Sequence, residues 1–424
     1  MNFILVTCVF PPEPVVSAAT SYQIAKELCA RGNQVHVITS FPNRPAGKLY
    51  KGYFRRLFTH EISEDGFDIL RCFSFFSPRS TMGGRLLENV SFGITSAVAL
   101  LKNHRPDVVY GNTWPLFAQG CIWLVCKLRG IPLVLSIQDI YPESLQAQKR
   151  LKYSGSFIFK ALRRMDEFIA RHSQAIIVIS ENFRQFYIGD RKLPAEKIHT
   201  ISNWGSETKT AGEEIKNNIR RDHNIPEDGF LVVYGGNIGI AAGVDDLIRA
   251  FQDLINYRNI YLMIAGDGSM AEHCRWLASK GSNPRIVFHQ PWKLSETTKV
   301  LQAADLLILP TQGEQSMVSV PSKLISYMFS ARPVLALAQQ DSEIANTILD
   351  SDSGWVVQPG NQQELSRQIL EISTFNKSEL GRRGEAGGNF ARRYYSKSAN
   401  LPKVIDVLES AARKVRHDPI HATC

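Results

Sequence analysis

The feature that most constrains this chain is a repeated alternation of short, unbroken apolar runs with segments patterned for helices. In the first half the runs are residues 3–10, 35–41, 69–73, 108–110, 133–137, 176–179 and 198–201. In the second half they are 231–234, 260–265, 286–288, 306–309, 333–337 and 355–357. A strand with one wet face alternates apolar and polar residues. A continuous run instead marks a strand covered on both faces, as in a parallel sheet flanked by helices. Helical patterns at 20–31, 157–172, 244–256 and 294–304 lie between the runs. Two consecutive series of this kind predict an α/β chain of two Rossmann-like, doubly wound domains, 1–203 and 204–395. A polar, charged stretch at 206–228 links them. Segment 396–424 reads as a helix carrying Leu401, Val404, Ile405 and Leu408 on one face, followed by a loose tail.

Charge divides the same way. The 424-residue chain carries a net charge of +9, of which residues 1–200 hold +10 and the remainder −1. Two halves so different suit different partners, although basic residues also serve solubility alone. The 44% hydrophobic content excludes wholesale disorder. Seven dispersed cysteines without a CxxC pair fit a reducing compartment and exclude a zinc ribbon. The ten histidines are dispersed, with no HxH spacing and a single HxxxH pair, His417 and His421, in the tail, so no metal site is expected. The N-terminus lacks the basic region of a cleavable signal. The apolar stretch 114–126 is broken by Gln119 and falls short of the ~20 residues a membrane span needs. Segment 86–101 carries Glu88 and Asn89, and both stretches read as buried or interfacial helices.

Six segments bear on chemistry. Tyr234-Gly235-Gly236-Asn237-Ile238-Gly239 follows an apolar run and precedes a helix, so its amides suit a phosphate; a plain tight turn explains it equally. Gly266-Asp267-Gly268-Ser269-Met270-Ala271 fits G-x-G-x-x-A, but the next strand ends in His289-Gln290 rather than the acidic residue of a dinucleotide site. Residues 305–324 bring a strand ending at Pro310 to a helix opening at Pro321-Ser322-Lys323. There amides, a hydroxyl and an ammonium converge as a diphosphate requires, or a helix cap sits beside a solvated lysine. The loop Phe10-Pro11-Pro12-Glu13-Pro14-Val15-Val16-Ser17 is either a ligand-facing turn or a rigid connector. Gln138-Asp139-Ile140-Tyr141-Pro142-Glu143 at a strand end suits sugar hydroxyls, with Asp139 as a turn cap the alternative. Finally, Lys48-Leu49-Tyr50-Lys51-Gly52-Tyr53-Phe54-Arg55-Arg56-Leu57-Phe58 interleaves cations and aromatics, which suits an anionic membrane interface, single-stranded nucleic acid or a solvated helix face. No nucleic-acid recognition motif accompanies it.

Taken in order, these segments resemble glycosyltransferase family 4, most closely the bacterial L-fucosamine and colanic-acid-type transferases of surface polysaccharide assembly. The landmarks are FPPEP at 10–14, QDIYPES at 138–144, SNW at 202–204, GGNIG at 235–239, Gly266-Asp267-Gly268, VPSK at 320–323 and Arg332-Pro333-Val334-Leu335. The resemblance spans nearly the whole chain. It implies a GT-B fold: two Rossmann-like domains with a deep cleft between them and a C-terminal helix that returns to the first. It further implies a donor site in the second domain, an acceptor site in the first, retention of anomeric configuration and no cofactor or essential metal.

Carried onto this sequence, the catalytic candidates are Gln138, Asp139 and Lys323. The donor candidates are Gly236, Asn237, Gly239, Gly266, Gly268, Gln290, Trp292, Pro321, Ser322 and Lys323. Acceptor candidates are Pro12, Glu13, Ser17 and Glu143, and membrane candidates are Tyr50, Lys51, Tyr53, Phe54, Arg55 and Arg56. The chain departs from the family where Val318 and Ser326 replace the usual glutamates, where Asn237 and Ala242 replace basic residues, and where Gln138 replaces a histidine. The last change is compatible with a 6-deoxy donor sugar.

The expected reaction transfers a sugar, with N-acetyl-L-fucosamine as the candidate, from a UDP-sugar to a polyprenyl-diphosphate-linked saccharide. The expected place is the cytoplasmic face of the inner membrane, with the protein peripheral to it. The rival readings are a UDP-sugar 2-epimerase-like isomerase of the same fold and a degenerate binding protein.

Overall fold

The computed structural model describes residues 1–416 apart from 45–46, 77–81, 113–114, 148–155, 206, 208–211, 282, 292 and 312–321. The chain divides into two compact units, one of residues 1–203 together with those from Asn400 onward, the other of Trp204–Ala399.

The first unit is built on eight strands: β1 (Asn2–Thr7), β2 (Gln34–Ser40), β3 (Phe58–Ile62), β4 (Asp68–Cys72), β5 (Val108–Asn112), β6 (Leu133–Ile137), β7 (Ala175–Val178) and β8 (Ile198–Thr200). They lie in the order β3-β4-β2-β1-β5-β6-β7-β8. Neighbours are parallel except β3, which pairs antiparallel with β4 at the sheet edge. The apolar runs predict seven of these strands and miss β3. As a half-exposed edge strand, Phe58-Thr59-His60-Glu61-Ile62 carries no buried run to betray it. Its helices are α1 (Val16–Ala30), α2 (Met82–Lys102), α3 (Leu116–Arg129), α4 (Glu143–Ala147), α5 (Phe157–Arg171) and α6 (Glu181–Gly189). Ser156 and Ser180 cap α5 and α6 by accepting the amides of Phe159 and Phe183. Gly130, at φ 60°, ends α3 in the left-handed conformation that its lack of a Cβ permits.

The second unit holds β9 (Phe230–Gly235), β10 (Ile260–Ala265), β11 (Ile286–His289), β12 (Leu306–Pro310), β13 (Val334–Leu337) and β14 (Gly354–Val357). Their order is β11-β10-β9-β12-β13-β14, and every pair is parallel. Around them run α7 (Glu213–Asp222), α8 (Val244–Gln252), α9 (Ala271–Gly281), α10 (Thr297–Gln302), α11 (Ser322–Phe329), α12 (Glu343–Asp350), α13 (Gln362–Ser373) and α14 (Lys377–Tyr394). One strand shows why the runs are unbroken. Val232 and Tyr234 of β9 enter the core on one side of the sheet, whereas Leu231 and Val233 enter the core on the other. Last comes α15 (Lys397–Arg416), which carries the chain from the second unit into the first and buries Leu401, Val404, Ile405 and Leu408.

In each sheet the strand order reverses once, between β1 and β5 and between β9 and β12. Connections leave in opposite directions at such a point, so the chain opens a crevice at the C-terminal strand ends.

Candidate functional site

In the first unit, a cavity of about 310 Å³ opens at the reversal point. Thr7 and Val9 line it from the end of β1, Ser17 from α1, Arg44 from beyond β2, Asn112 from β5, and Gln138 and Asp139 from beyond β6. Arg85 and Asn89 of α2, with Tyr141, Ser144 and Leu145 at the start of α4, complete the wall. Asp139 is half-buried, and no group among the described residues donates to its carboxylate. Burial with no compensating partner pushes its pKa up from 3.8 to about 6. Two further acceptors face the same problem. The Oδ1 atoms of Asn89 and Asn112 are buried without a hydrogen-bond donor among the described residues. A buried, unsatisfied acceptor costs about 1–3 kcal/mol, which a ligand bringing O–H or N–H donors recovers. Arg44, Arg85, Asn89 and Asn112 were not legible as site residues. Only Asn112, a polar residue ending a buried strand, gave a signal.

Other candidates in this unit are engaged by the protein itself. Glu13 is buried, and its carboxylate accepts the amides of Asn43 and Arg44 at 2.9 Å each and of Phe10 at 3.2 Å. Desolvation raises its pKa while those amides pull it down. Glu143 pairs at 2.7 Å with Arg191, a fully buried guanidinium that also reaches Asp166 at 3.0 Å and the carbonyl of Tyr141 at 3.1 Å. Gln138 donates to Ser136 Oγ at 2.9 Å and accepts from Asn203 at 2.7 Å, so both ends of its amide are taken. Pro12 is exposed, and Ser17 lines the cavity.

Residues 48–57 form a loop with no regular secondary structure, so the helical alternative does not hold there. Tyr50 donates to the carbonyl of Arg44, and Tyr53 lies under the Arg71 guanidinium, 5.1 Å from ring centre to Cζ. Lys51, Phe54, Arg55 and Arg56 are exposed.

In the second unit the two glycine segments meet at the reversal point. Gly236, Gly266 and Gly268 have φ of 145°, 152° and 156°, conformations other residues rarely adopt. A Cβ on Gly266 would lie 1.9 Å from the Gly236 carbonyl oxygen, and one on Gly268 would lie 2.5 Å from that of Ile238. The loops are sewn together: Gly236 N–H donates to Ala265 and Ile238 N–H to Asp267, both at 2.8 Å. This corrects one expectation. Two of the amides in 236–239 bind the neighbouring loop and are not available to a phosphate, whereas those of Asn237 and Gly239 have no partner among the described residues. Gln290 also acts within this fabric, donating to the Gly266 carbonyl at 2.6 Å and accepting from Arg275.

Lys323, in the first turn of α11, lies directly over these loops. Its ammonium is 4.6 Å from the Tyr234 ring centre, donates to the Tyr234 hydroxyl, and donates to the Asn237 carbonyl at 3.2 Å. A Cβ on Gly236 would fall 2.5 Å from its Cε, so the glycine leaves room for the lysine stem. No carboxylate pairs with Lys323 among the described residues. Burial lowers its pKa from 10.5 to about 8. Tyr327, one turn on, donates to the Gly235 carbonyl at 3.1 Å and accepts its N–H at 2.8 Å, which fixes the helix on the strand end. Ser322 is exposed beside Lys323. Trp292 and Pro321, like 316–320, lie outside the described residues.

Two α/β units, each built on a largely or wholly parallel sheet whose strand order reverses once, define the architecture of GT-B glycosyltransferases. In solved structures it matches sucrose-phosphate synthase from Thermosynechococcus elongatus, with TM-score 0.74 and 14% identity over 98% of this chain and 100% of that one. It also matches Anabaena HepE in complex with UDP, with TM-score 0.69 and 13% identity over 97% and 100%.

Residues 18–204 match the model of Glycosyltransferase Family 4, and residues 229–374 that of Glycosyl transferases group 1. The chain is therefore a glycosyltransferase whose two halves belong to these families. Among curated relatives, the probable glycosyltransferase WbjE of Pseudomonas aeruginosa is 28% identical over 73% of this chain and 77% of its own. WcaI of Escherichia coli K12, a candidate colanic acid biosynthesis glycosyl transferase, is 22% identical over 79% and 83%.

Proposed function

We propose that this glycosyltransferase moves a sugar, with retention, from a UDP-sugar to a polyprenyl-diphosphate-linked saccharide in bacterial surface polysaccharide assembly, at the cytoplasmic face of the inner membrane and without a cofactor or metal. The observation that carries the donor half is Lys323: a cation without a carboxylate partner, half-buried over the glycine loops at the strand-order reversal. A leaving diphosphate gains negative charge as the glycosidic bond breaks, and a fixed cation in a poorly solvated place stabilises that charge more than water does. The amides of Asn237 and Gly239 and the hydroxyl of Ser322 supply the neutral donors. UDP as the nucleotide is supported by the HepE complex, and polysaccharide assembly by the WcaI relative.

In the first unit, Asp139 with Asn89 and Asn112 offers a set of acceptors suited to saccharide hydroxyls, and Asp139 orients the attacking one. The roles first read into Glu13, Glu143 and Gln138 become positional: they hold the loops that carry Arg44, Asp139 and Tyr141. Nucleotide-sugar binding without turnover is the second reading, favoured by the exposed Ser326 where the family carries a glutamate.

A thermal-shift panel of nucleotide sugars, followed by transfer assays, tests this. UDP and one UDP-sugar should raise the melting temperature by mass action. Lys323→Ala should weaken that response at least ~10-fold in affinity, since charge-assisted contacts to phosphate are the strong ones. No response to any UDP-sugar, together with an unaltered Lys323→Ala variant, would sink the proposal.

A further inference from the structure

We infer that the outer face of α2, α3 and α5 in the first unit is a docking surface for an anionic phospholipid bilayer. Half of the large apolar side chains exposed among the described residues sit on these three helices. On α2 they are Leu86, Leu87, Ile94 and Leu101, three of them seven residues apart and so on one side of the helix. On α3, Phe117 and Leu124 are again seven residues apart, and Leu128 lies one turn further along the same side. On α5, Phe157 is 85% exposed and Ile158 61%, with Phe168 further along. The opposite sides of these helices, such as Phe92, Ile122 and Ile169, are buried in the core against the sheet. The exposed stripes therefore point away from it.

The stripes are contiguous because the helices touch through small residues. A Cβ on Gly93 of α2 would lie 3.0 Å from the Cα of Ala118 of α3, and one on Gly120 of α3 would lie 2.5 Å from Met165 of α5. Trp123 and Phe168 stack edge-on at 4.8 Å across the second seam. Monomers rarely expose apolar surface on this scale without a partner.

Charge chooses the partner. Lys102, Lys127, Lys160 and Arg164 are exposed on the same three helices and have no acidic partner among the described residues. The only acidic residues of these helices are Glu88 and Asp166, both buried, and Glu167, paired with Arg171. A two-fold contact between copies would set these cations against each other. A bilayer with anionic headgroups accepts both features: leucines and phenylalanines enter the acyl boundary while lysine and arginine stems reach the phosphates.

Among the described residues no helix is long and apolar enough to cross a membrane, so the contact is interfacial. The loop at 48–57 joins this face, since Arg55 stacks on Phe76 at 4.7 Å and the Phe75 amide donates to Ser91 of α2. The inference rests on the reading of a lipid-linked acceptor for its biological setting, but not for its test.

The test is cosedimentation of the full chain with phosphatidylcholine vesicles, with and without phosphatidylglycerol, in the absence of donor and acceptor. Binding should require phosphatidylglycerol and fall with salt. The exposed pair Leu124→Asp/Leu128→Asp should lower partitioning at least ~10-fold, from the apolar area withdrawn. The same variant should keep its thermal response to UDP and its transfer to a short water-soluble acceptor. Retained vesicle binding without any transfer would count against the enzymatic reading and leave the docking face standing. Absence of wild-type binding, or equal partitioning of the two proteins, would overturn the docking face. So would light scattering showing a dimer that the two aspartates dissociate, because the face would then be a self-interface.

Discussion

Lys323 and Asp139 are half-buried ionisable groups, one in each unit, that have no ionic partner among the described residues. Each makes a pH prediction with a definite sign. In the free protein burial lowers the Lys323 pKa to about 8. A bound diphosphate favours its charged form and so raises that value. Donor binding then takes up a proton above pH ~8, and affinity should be full below it and fall by up to ~10-fold per pH unit above it. Calorimetric titration of UDP across that range checks this, and the slope should vanish in Lys323→Ala. Asp139 has a native pKa of about 6, above its unfolded value. The folded state therefore holds this proton more tightly. The penalty is absent at low pH, grows as pH rises towards about 6, and is complete above it. Asp139→Asn should stabilise the protein on the order of 2 kcal/mol at pH 7.5 and little at pH 4, while lowering transfer. Denaturant titrations at the two pH values decide it.

At the scale of elements, the glycine loops after β9 and β10 behave as one unit. Their contact distances leave no space for a side chain at Gly266, where the neighbouring carbonyl would stand 1.9 Å away. Gly266→Ala should cost about 3 kcal/mol in urea unfolding and abolish the UDP response, because relief requires the loops to part beneath Lys323. The pattern G-x-G-x-x-A was legible in the sequence, but its purpose was not. The segment read as a dinucleotide fingerprint without its acidic residue, whereas its glycines let one loop lie on another. Likewise FPPEP and QDIYPES were legible as loops at strand ends. That Glu13 would hold the amides of Asn43 and Arg44, and that Glu143 would pair with Arg191, depended on segments brought together only by the sheet.

At the scale of the molecule, the first unit is discontinuous in sequence, completed by the chain from Asn400 onward. Leu401, Val404, Ile405 and Leu408 are nearly or fully buried there, and Glu409 bonds Arg31 of the first unit at 3.4 Å. Each buried apolar side chain is worth roughly 1.5–3 kcal/mol. A chain ending at Ala399 should therefore lose most of the first unit's stability, seen as an early or missing transition in calorimetry. The second unit should still melt at a temperature that UDP raises.

The sequence by itself determined the two parallel sheets, because a strand covered on both faces must be apolar throughout, and that pattern is local. It also determined the ordered motifs by which the two halves match glycosyltransferase families. It did not reveal β3, whose half-exposed edge position demands no apolar run. Only the tertiary structure decided which polar residues keep hydrogen-bonding capacity to spare. Hydrogen-bond satisfaction is settled between segments far apart in the chain, which engages Glu13, Gln138 and Glu143 internally and leaves Asp139, Asn89, Asn112 and Lys323 with unmet demands. The apolar stripes of α2, α3 and α5 likewise became a surface only once the helices packed, since sequence periodicity shows that a face exists and not whether the fold covers it.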